Sequence, residues 1–299
     1  MSDGAVGIIG LGNIGNGVAM AQAKSGRWPV FVWDYDDTKA EPFRDMENVT
    51  VSSLKEMAAA VDVLFFVVPS TKEIRLCLEG PDGIFANAKP GLSIYDLTTS
   101  YPEDSMEVCV AAKEFGITYF DAGTSGGPYK ADTGQLLTMI GGDKEAFETT
   151  REYLEPICEH IFYIGESGTG HTLKLLHNII CHVTTLATAE AGHMAESAGI
   201  PLKTMIDVFN VSNARSYSSE FRFPKHIISK TWDGRSRIFN LHKDIGMGEK
   251  LAMSLDADSR YTSATLDILN KAVSIGMQDD DYTLLYRDFD KIRKAKPTS

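Results

Sequence analysis

Gly10-Leu11-Gly12-Asn13-Ile14-Gly15 stands between a short apolar run, Ala5 to Ile9, and a stretch from Asn13 to Lys24 that reads as helix. A second apolar run follows at Pro29 to Trp33, so the chain opens as a strand-helix-strand unit with a glycine-rich turn after its first strand. Glycines there let the chain turn tightly and let a pyrophosphate approach backbone N–H groups, while the start of the helix favours negative charge. The pattern alone is common. Between a strand and a helix it assigns Gly10, Leu11, Gly12, Asn13, Ile14 and Gly15 to binding a dinucleotide. Asp34 closes the second strand, near the spacing of about 20 residues at which an acid holds the adenine ribose hydroxyls. A carboxylate there repels a 2′-phosphate, and Tyr35, Asp36 and Asp37 beside it supply no arginine. The expected cofactor is therefore NAD rather than NADP.

Working outward, strand-like and helix-like segments keep alternating. Leu54 to Ala60 reads as helix, Val63 to Val68 and Leu92 to Asp96 as strands, Glu103 to Phe115 as helix and Thr118 to Phe120 as strand. Leu136 to Ile140 and His160 to Ile164 read as further strands flanking a helix from Lys144 to Tyr153. Such alternation predicts a mostly parallel sheet covered on both faces, an α/β fold of the doubly wound Rossmann type. After Gly165 the pattern changes. From His171 to Ser197 apolar residues (Leu173, Leu176, Ile180, Val183, Ala187) recur at helical spacing, with Gly199 placed to cap and Pro201 beyond it. The expected division is a dinucleotide-binding domain over residues 1–165 and an all-helical domain over 166–299. Arg287 to Ser299 reads as a charged tail with a frayed end.

The chain has 299 residues and a net charge of −12, which suits two domains and disfavours nucleic acid or an anionic membrane surface as a partner. The longest apolar run, near Val63 to Val68, is far short of the roughly 20 residues that span a bilayer. No basic segment precedes the first apolar run, and a cytoplasmic location is expected. Cys77, Cys109, Cys158 and Cys181 are scattered, as expected of reduced thiols rather than a disulfide framework or zinc cage.

Four separated stretches resemble the β-hydroxyacid dehydrogenase family, which includes the 3-hydroxyisobutyrate dehydrogenases: Gly10 to Gly15, Asp121-Ala122-Gly123-Thr124-Ser125-Gly126-Gly127, Gly168 to Asn178, and Lys243-Asp244-Ile245-Gly246. Lys174 and Asn178 are one helical turn apart and share a face. Moving hydride between a carbinol carbon and a nicotinamide requires a proton to move at the alcohol oxygen, which a desolvated lysine can do. The resemblance implies Lys174 as the catalytic group, Asn178 as the residue orienting substrate, and Ser125, Gly126 and Gly127 as the nest for the substrate carboxylate. It places Lys243 near the nicotinamide, with Asp244 expected to cap the following helix. Thr99, following the strand that ends at Asp96, and Val68 and Pro69, at the end of a neighbouring strand, are expected at the cofactor because strand C-termini carry ligands in such sheets. The family more often has Pro-Val where this chain has Gly123-Thr124.

The implied activity is hydride transfer between NAD(H) and a small hydroxy acid of the 3-hydroxyisobutyrate kind, with no metal. A 6-phosphogluconate dehydrogenase-like enzyme is the alternative, suggested by Gly-Thr-Ser-Gly-Gly and Lys174-x-x-His177-Asn178. Those decarboxylating enzymes carry a glutamate shortly after the asparagine, where this chain has Cys181. Imine reductases usually replace the lysine retained here. A non-catalytic NAD(H)-binding sensor is a further reading. His171 and His177, one turn to either side of Lys174, have no further ligands at metal spacing and read as packing or supporting residues. Arg215 lies in a polar loop, Asn210 to Ser219, and reads as surface. The apolar helices are expected to be covered by a homodimer or homotetramer.

Overall fold

In the computed structural model, which describes residues 4–295, eight strands form one sheet in the order β3-β2-β1-β4-β5-β6-β7-β8. These are β1 (Val6–Ile9), β2 (Val30–Trp33), β3 (Val49–Val51), β4 (Val63–Phe66), β5 (Ser93–Asp96), β6 (Thr118–Ser125), β7 (Leu136–Gly141) and β8 (Cys158–Gly165). Every pairing is parallel except β6 with β7. The order reverses direction between β1 and β4, the switch point at which doubly wound sheets bind ligands.

The short central strands β1 and β4 are apolar throughout because both faces of the sheet are covered. All four residues of β4 are buried; Phe65 joins one apolar cluster with Ile8, Tyr95 and Phe120, while Leu64 and Phe66 join another with Ile9, Ile94 and Tyr119. Alternating side chains thus feed two cores on opposite faces. The covering helices are α1 (Asn13–Ser25), α2 (Leu54–Ala60), α3 (Thr71–Leu78), α4 (Ile84–Asn87), α5 (Pro102–Glu114), α6 (Gly127–Asp132) and α7 (Lys144–Thr150). α2 starts on a capping box: the Ser53 hydroxyl accepts from Glu56 N, and the Glu56 carboxylate accepts from Ser53 N.

Contacts divide the chain into two compact units, Met1–Lys174 and Leu175–Ser299. The division falls within α8 (Thr169–Ser197), an uninterrupted helix of 29 residues. The second unit is helical, with α9 (Leu202–Asn210), α10 (Ile238–Ser254), α11 (Arg260–Ser274), α12 (Leu284–Arg287) and α13 (Phe289–Lys294). A wide π-type helix spans Ser218–Ile228 and contains Pro224, which has no N–H to give to the usual ladder.

Two expectations about these elements need correcting. The strand read as Thr118 to Phe120 runs on to Ser125, because Asp121 to Ser125 pair antiparallel with Gly141 to Leu137; glycine and threonine in that stretch hid a strand whose stability comes from its neighbour. The polar loop Asn210 to Ser219 becomes helical at Ser218. The charged tail, expected as helix or loop with a frayed end, forms α13 with Ile292 buried; its last residues, 296–299, lie outside the described region.

Candidate active site

The sheet register sets out the first half of the site. Trp33, Ile9, Phe66, Asp96 and Asp121 stand in one row across β2, β1, β4, β5 and β6. The residues after this row on neighbouring strands therefore emerge along one edge: Asp34, the turn from Gly10, Val68-Pro69, and Thr98-Thr99. Gly10 has φ +96°, and a Cβ on it would sit 2.3 Å from the Val67 carbonyl oxygen; a Cβ on Gly15 would sit 1.8 Å from the Gly10 carbonyl oxygen. Any side chain at either position would break the turn. At Gly12, by contrast, a Cβ would meet nothing within 4 Å.

That open side fits a diphosphate. No side chain caps α1 and no acid lies in its first turn, which holds Asn13 and Ile14, so its positive end favours an anion. Leu11, itself buried, donates its N–H to Asp34 Oδ2 at 2.6 Å, and Asp36 N donates to Asp34 Oδ1 at 2.9 Å. The carboxylate is thereby fixed at the end of β2. Lys39 Nζ stands 3.5 Å from Asp34 Oδ1 with its side chain 45% exposed, a partly screened cation that the reading of residues 35–37 missed. On the same edge Val68 N donates to Thr98 Oγ1 at 3.4 Å, Pro69 is exposed, and Thr99 is half-buried.

The second half is built where β6 meets α8. Gly168 N and His171 N donate to the two carboxylate oxygens of buried Asp121, at 2.7 and 2.9 Å, so one acid holds the start of α8 through charge-assisted bonds and the helix dipole. Two residues further along β6, a Cβ on Gly123 would stand 2.5 Å from Lys174 Cβ and 2.9 Å from its Cγ. Asp121, Gly123 and Ser125 alternate onto one face of the strand. That face anchors the helix, seats the lysine stem and ends in Ser125. Gly126 and Gly127 follow with φ +125° and +62° at the start of α6.

Beneath this junction is a buried polar network. Asp96 Oδ2 accepts from Tyr119 OH at 2.8 Å and Asp96 Oδ1 from Thr98 N at 2.9 Å. His171 lies 2.7 Å from Ser105 Oγ through Nδ1 and 3.2 Å from the Asp96 carbonyl oxygen through Nε2. All are fully or nearly buried. Burial pushes the Asp96 carboxyl above the usual carboxylate range, against the pull of His171 and of the hydrogen bonds from Tyr119 and Thr98. Ser105, His171 and Asp96 have the residue types of a hydrolytic triad but no route to solvent, so they brace the helix, as the packing reading of His171 anticipates.

In the second unit, Asn178 Nδ2 donates to Asp244 Oδ2 at 2.8 Å, and Asn178 Oδ1 lies 3.0 Å from His177 Nδ1. Lys243 Nζ is 3.5 Å from Asp244 Oδ1, and His182 Nε2 is 4.0 Å from Asp244 Oδ2. The expectation that Asp244 caps a helix is wrong: it lies inside α10 and is buried. It is the acid around which Asn178, Lys243 and His182 gather. Arg215 is exposed and pairs with Glu220 at 3.5 Å. Among the described residues no group of three or more His, Cys, Asp or Glu could hold a metal ion, and no helix is long and apolar enough to cross a membrane.

α8 is amphipathic in an inverted sense. His171, Lys174, Asn178, His182 and Thr185 are buried, while Leu173, Leu176 and Ile180 are 37%, 46% and 65% exposed. Burying a polar stripe costs free energy unless each group is bonded or used.

Residues 5–165 match the NAD binding domain of 6-phosphogluconate dehydrogenase, and residues 168–289 match the NAD-binding domain of NADP-dependent 3-hydroxyisobutyrate dehydrogenase. The chain belongs to the β-hydroxyacid dehydrogenase family. Its relatives there include an L-threonate dehydrogenase of Escherichia coli O6:H1, 29% identical over 96% of this chain and 95% of the relative. A 2-(hydroxymethyl)glutarate dehydrogenase of Eubacterium barkeri is 25% identical over 96% of this chain and 95% of the relative. The crystal structure of a 3-hydroxyisobutyrate dehydrogenase from Salmonella typhimurium superposes with a TM-score of 0.86 at 28% identity, covering 95% of this chain and 99% of that one. The family brings an NAD(P)-binding fold and oxidoreductase chemistry on hydroxy acids.

Proposed function

We propose that this member of the family moves hydride between NAD(H) and the alcohol of a small β-hydroxy acid, with Lys174 as the catalytic residue. The observation that carries the reading is a buried lysine whose stem rests on Gly123, on the strand face that ends at Ser125. A bound nicotinamide would supply the hydride acceptor for oxidation and the hydride donor for reduction. The Lys174 amine accepts the hydroxyl proton during oxidation, and its ammonium form returns a proton to the carbonyl oxygen during reduction. Asn178, held by Asp244, orients the substrate oxygen one turn along the helix. Ser125 and the backbone N–H groups at Gly126 and Gly127 receive the substrate carboxylate.

Gly10 through Gly15 would hold the diphosphate, with Val68, Pro69, Thr99 and Lys243 as further cofactor contacts. Asp34, fixed by Leu11 N and Asp36 N, would accept both ribose hydroxyls and repel a 2′-phosphate, which supports NAD over NADP. The exposed apolar stripe of α8 supports a homo-oligomer in which a second copy covers it, and the net charge of −12, unsuited to an anionic membrane surface, supports a cytoplasmic enzyme.

The experiment is a spectrophotometric panel. Purified protein is incubated with NAD or NADP and a set of 3-hydroxy acids, and reduced nicotinamide is followed by absorbance. We expect turnover with NAD on at least one short 3-hydroxy acid. Tight cofactor binding without turnover on the whole panel would replace this reading with the sensor, and carbon dioxide release from a sugar acid would replace it with the decarboxylating enzyme.

A further inference from the structure

Within the second unit, the oxygen that holds Asn178 has another basic neighbour one turn further along α8. Asn178 Nδ2 donates to Asp244 Oδ2 at 2.8 Å, and His182 Nε2 stands 4.0 Å from that same Oδ2. The second distance is too long for a hydrogen bond. It is short enough for a unit charge on the imidazole to act strongly where water is scarce. Asn178, His182 and Asp244 are 5%, 6% and 8% exposed, so solvent does little to screen the carboxylate or to replace a lost partner.

The arrangement has a sequence origin. Residues 178 and 182 are four apart, so their side chains lie one above the other on a face of α8, and one carboxylate on α10 meets both. Gly248, one turn beyond Asp244 on α10, lets the two helices close up. A Cβ there would stand 2.9 Å from Ile179 Cγ1.

The other groups around the pair act on different atoms. Lys243 Nζ on α10 lies 3.5 Å from Asp244 Oδ1, the opposite carboxylate oxygen. His177 Nδ1 on α8 lies 3.0 Å from Asn178 Oδ1. On the wide helix, Arg222 donates to the Cys181 carbonyl oxygen and to Thr185 Oγ1, on either side of His182 along α8. α11 comes toward Gly248 through Thr262, which is uncharged. Lys243 therefore steadies one oxygen of Asp244, while Oδ2 lies between Asn178 and His182. A neutral imidazole leaves Oδ2 to the amide. An imidazolium, formed by taking a proton from solvent, brings a full positive charge to the same oxygen and draws it off the amide.

We propose that His182 is a positioning residue whose protonation decides whether Asp244 holds the Asn178 amide, so that acid weakens substrate binding through this imidazole and not through the reacting amine. The effect on substrate rests on the assignment of Asn178 above. The effect on the amide itself does not.

Two readouts keep these apart. In the full-length protein labelled with nitrogen-15 at asparagine, the Asn178 side-chain amide is assigned by its loss in Asn178→Asp and followed by NMR. Its Nδ2 protons should shift upfield on acidification with one midpoint in the range where imidazoles titrate, about pH 5 to 8. In His182→Gln they should stay in place. If that variant does not fold, the ring protons of His182 in wild type serve instead, and must titrate with the midpoint of the amide. In steady-state turnover, KM for the hydroxy acid should rise about tenfold over the two pH units centred on that midpoint, the neutral fraction falling by that factor. His182→Gln should abolish the rise, while kcat keeps the pH profile set by Lys174. An amide that ignores pH, a midpoint it does not share with the His182 ring, or a rise in KM that survives in His182→Gln overturns the role of His182. Absence of turnover on every hydroxy acid removes the dehydrogenase reading alone, and the amide titration then decides the positioning role by itself.

Discussion

The bare α-carbon of Gly123 lies against the stem of Lys174, so closely that a methyl group there would stand 2.5 Å from the lysine Cβ. Because β6 is paired on both edges, the strand cannot retreat, and an added methyl must push the lysine. We expect Gly123→Ala to lower kcat by about 10- to 100-fold, the usual result of moving a reacting group by a fraction of an ångström to an ångström, with NADH affinity unchanged. A normal kcat would show that the amine is not positioned by this contact.

Removing the amine should be more severe. Lys174→Ala is expected to fold, to bind NADH as measured by fluorescence titration, and to lose about 10²- to 10⁴-fold in kcat, the range for a lost proton-transfer group. Turnover within a few-fold of wild type would assign the proton to another residue.

Cofactor choice should follow the charge at residue 34. Asp34→Asn can still accept from Leu11 N, so the turn is kept while the negative charge goes. The ratio of kcat/KM for NAD over NADP should fall by about tenfold or more, consistent with the size of one charged hydrogen bond. Lys39, already near that position, would then face a 2′-phosphate without opposition. An unchanged ratio would remove Asp34 from cofactor discrimination.

Asp121 should matter for stability before it matters for chemistry. Asp121→Asn replaces one of two acceptors by an N–H that faces another N–H at the start of α8. The buried mismatch should cost about 2 to 4 kcal/mol, read as a lower Tm by calorimetry. Unchanged melting would mean that α8 is held elsewhere.

Acidity should reveal Asp96. Burial raises this carboxyl above its ordinary value, so the folded protein binds the proton more tightly than the unfolded chain does. Stability contributed by the protonated form is therefore complete at low pH, and it is lost as pH rises from the ordinary aspartate value of about 4 toward the folded one. Urea unfolding at a series of pH values should show wild type losing stability over that window relative to Asp96→Asn. Parallel curves for the two proteins would exclude the titration.

Much of this was legible in the sequence, for identifiable reasons. The turn at Gly10 and the strands around it are fixed by local chemistry, since glycine spacing and apolar runs need no knowledge of distant neighbours. β3 escaped notice because Val49–Val51 is too short to show a period. The end of β6 escaped because its stability comes from β7. Asp121 and Gly123 were visible only as letters in a motif; their tasks depend on a helix that begins some fifty positions later in the chain. Asp244 was misread for a related reason. An acid beside a lysine near an apolar stretch looks like a cap, and only the fold brings Asn178 to it.

The continuity of α8 has a practical consequence. Its 29 residues carry Lys174 and Asn178 on one uninterrupted ladder, so their one-turn spacing of about 5.4 Å is set by the backbone itself. A residue inserted between them would swing Asn178 about 100° around the axis away from Lys174, whereas a substitution outside the helix would leave that spacing as it is.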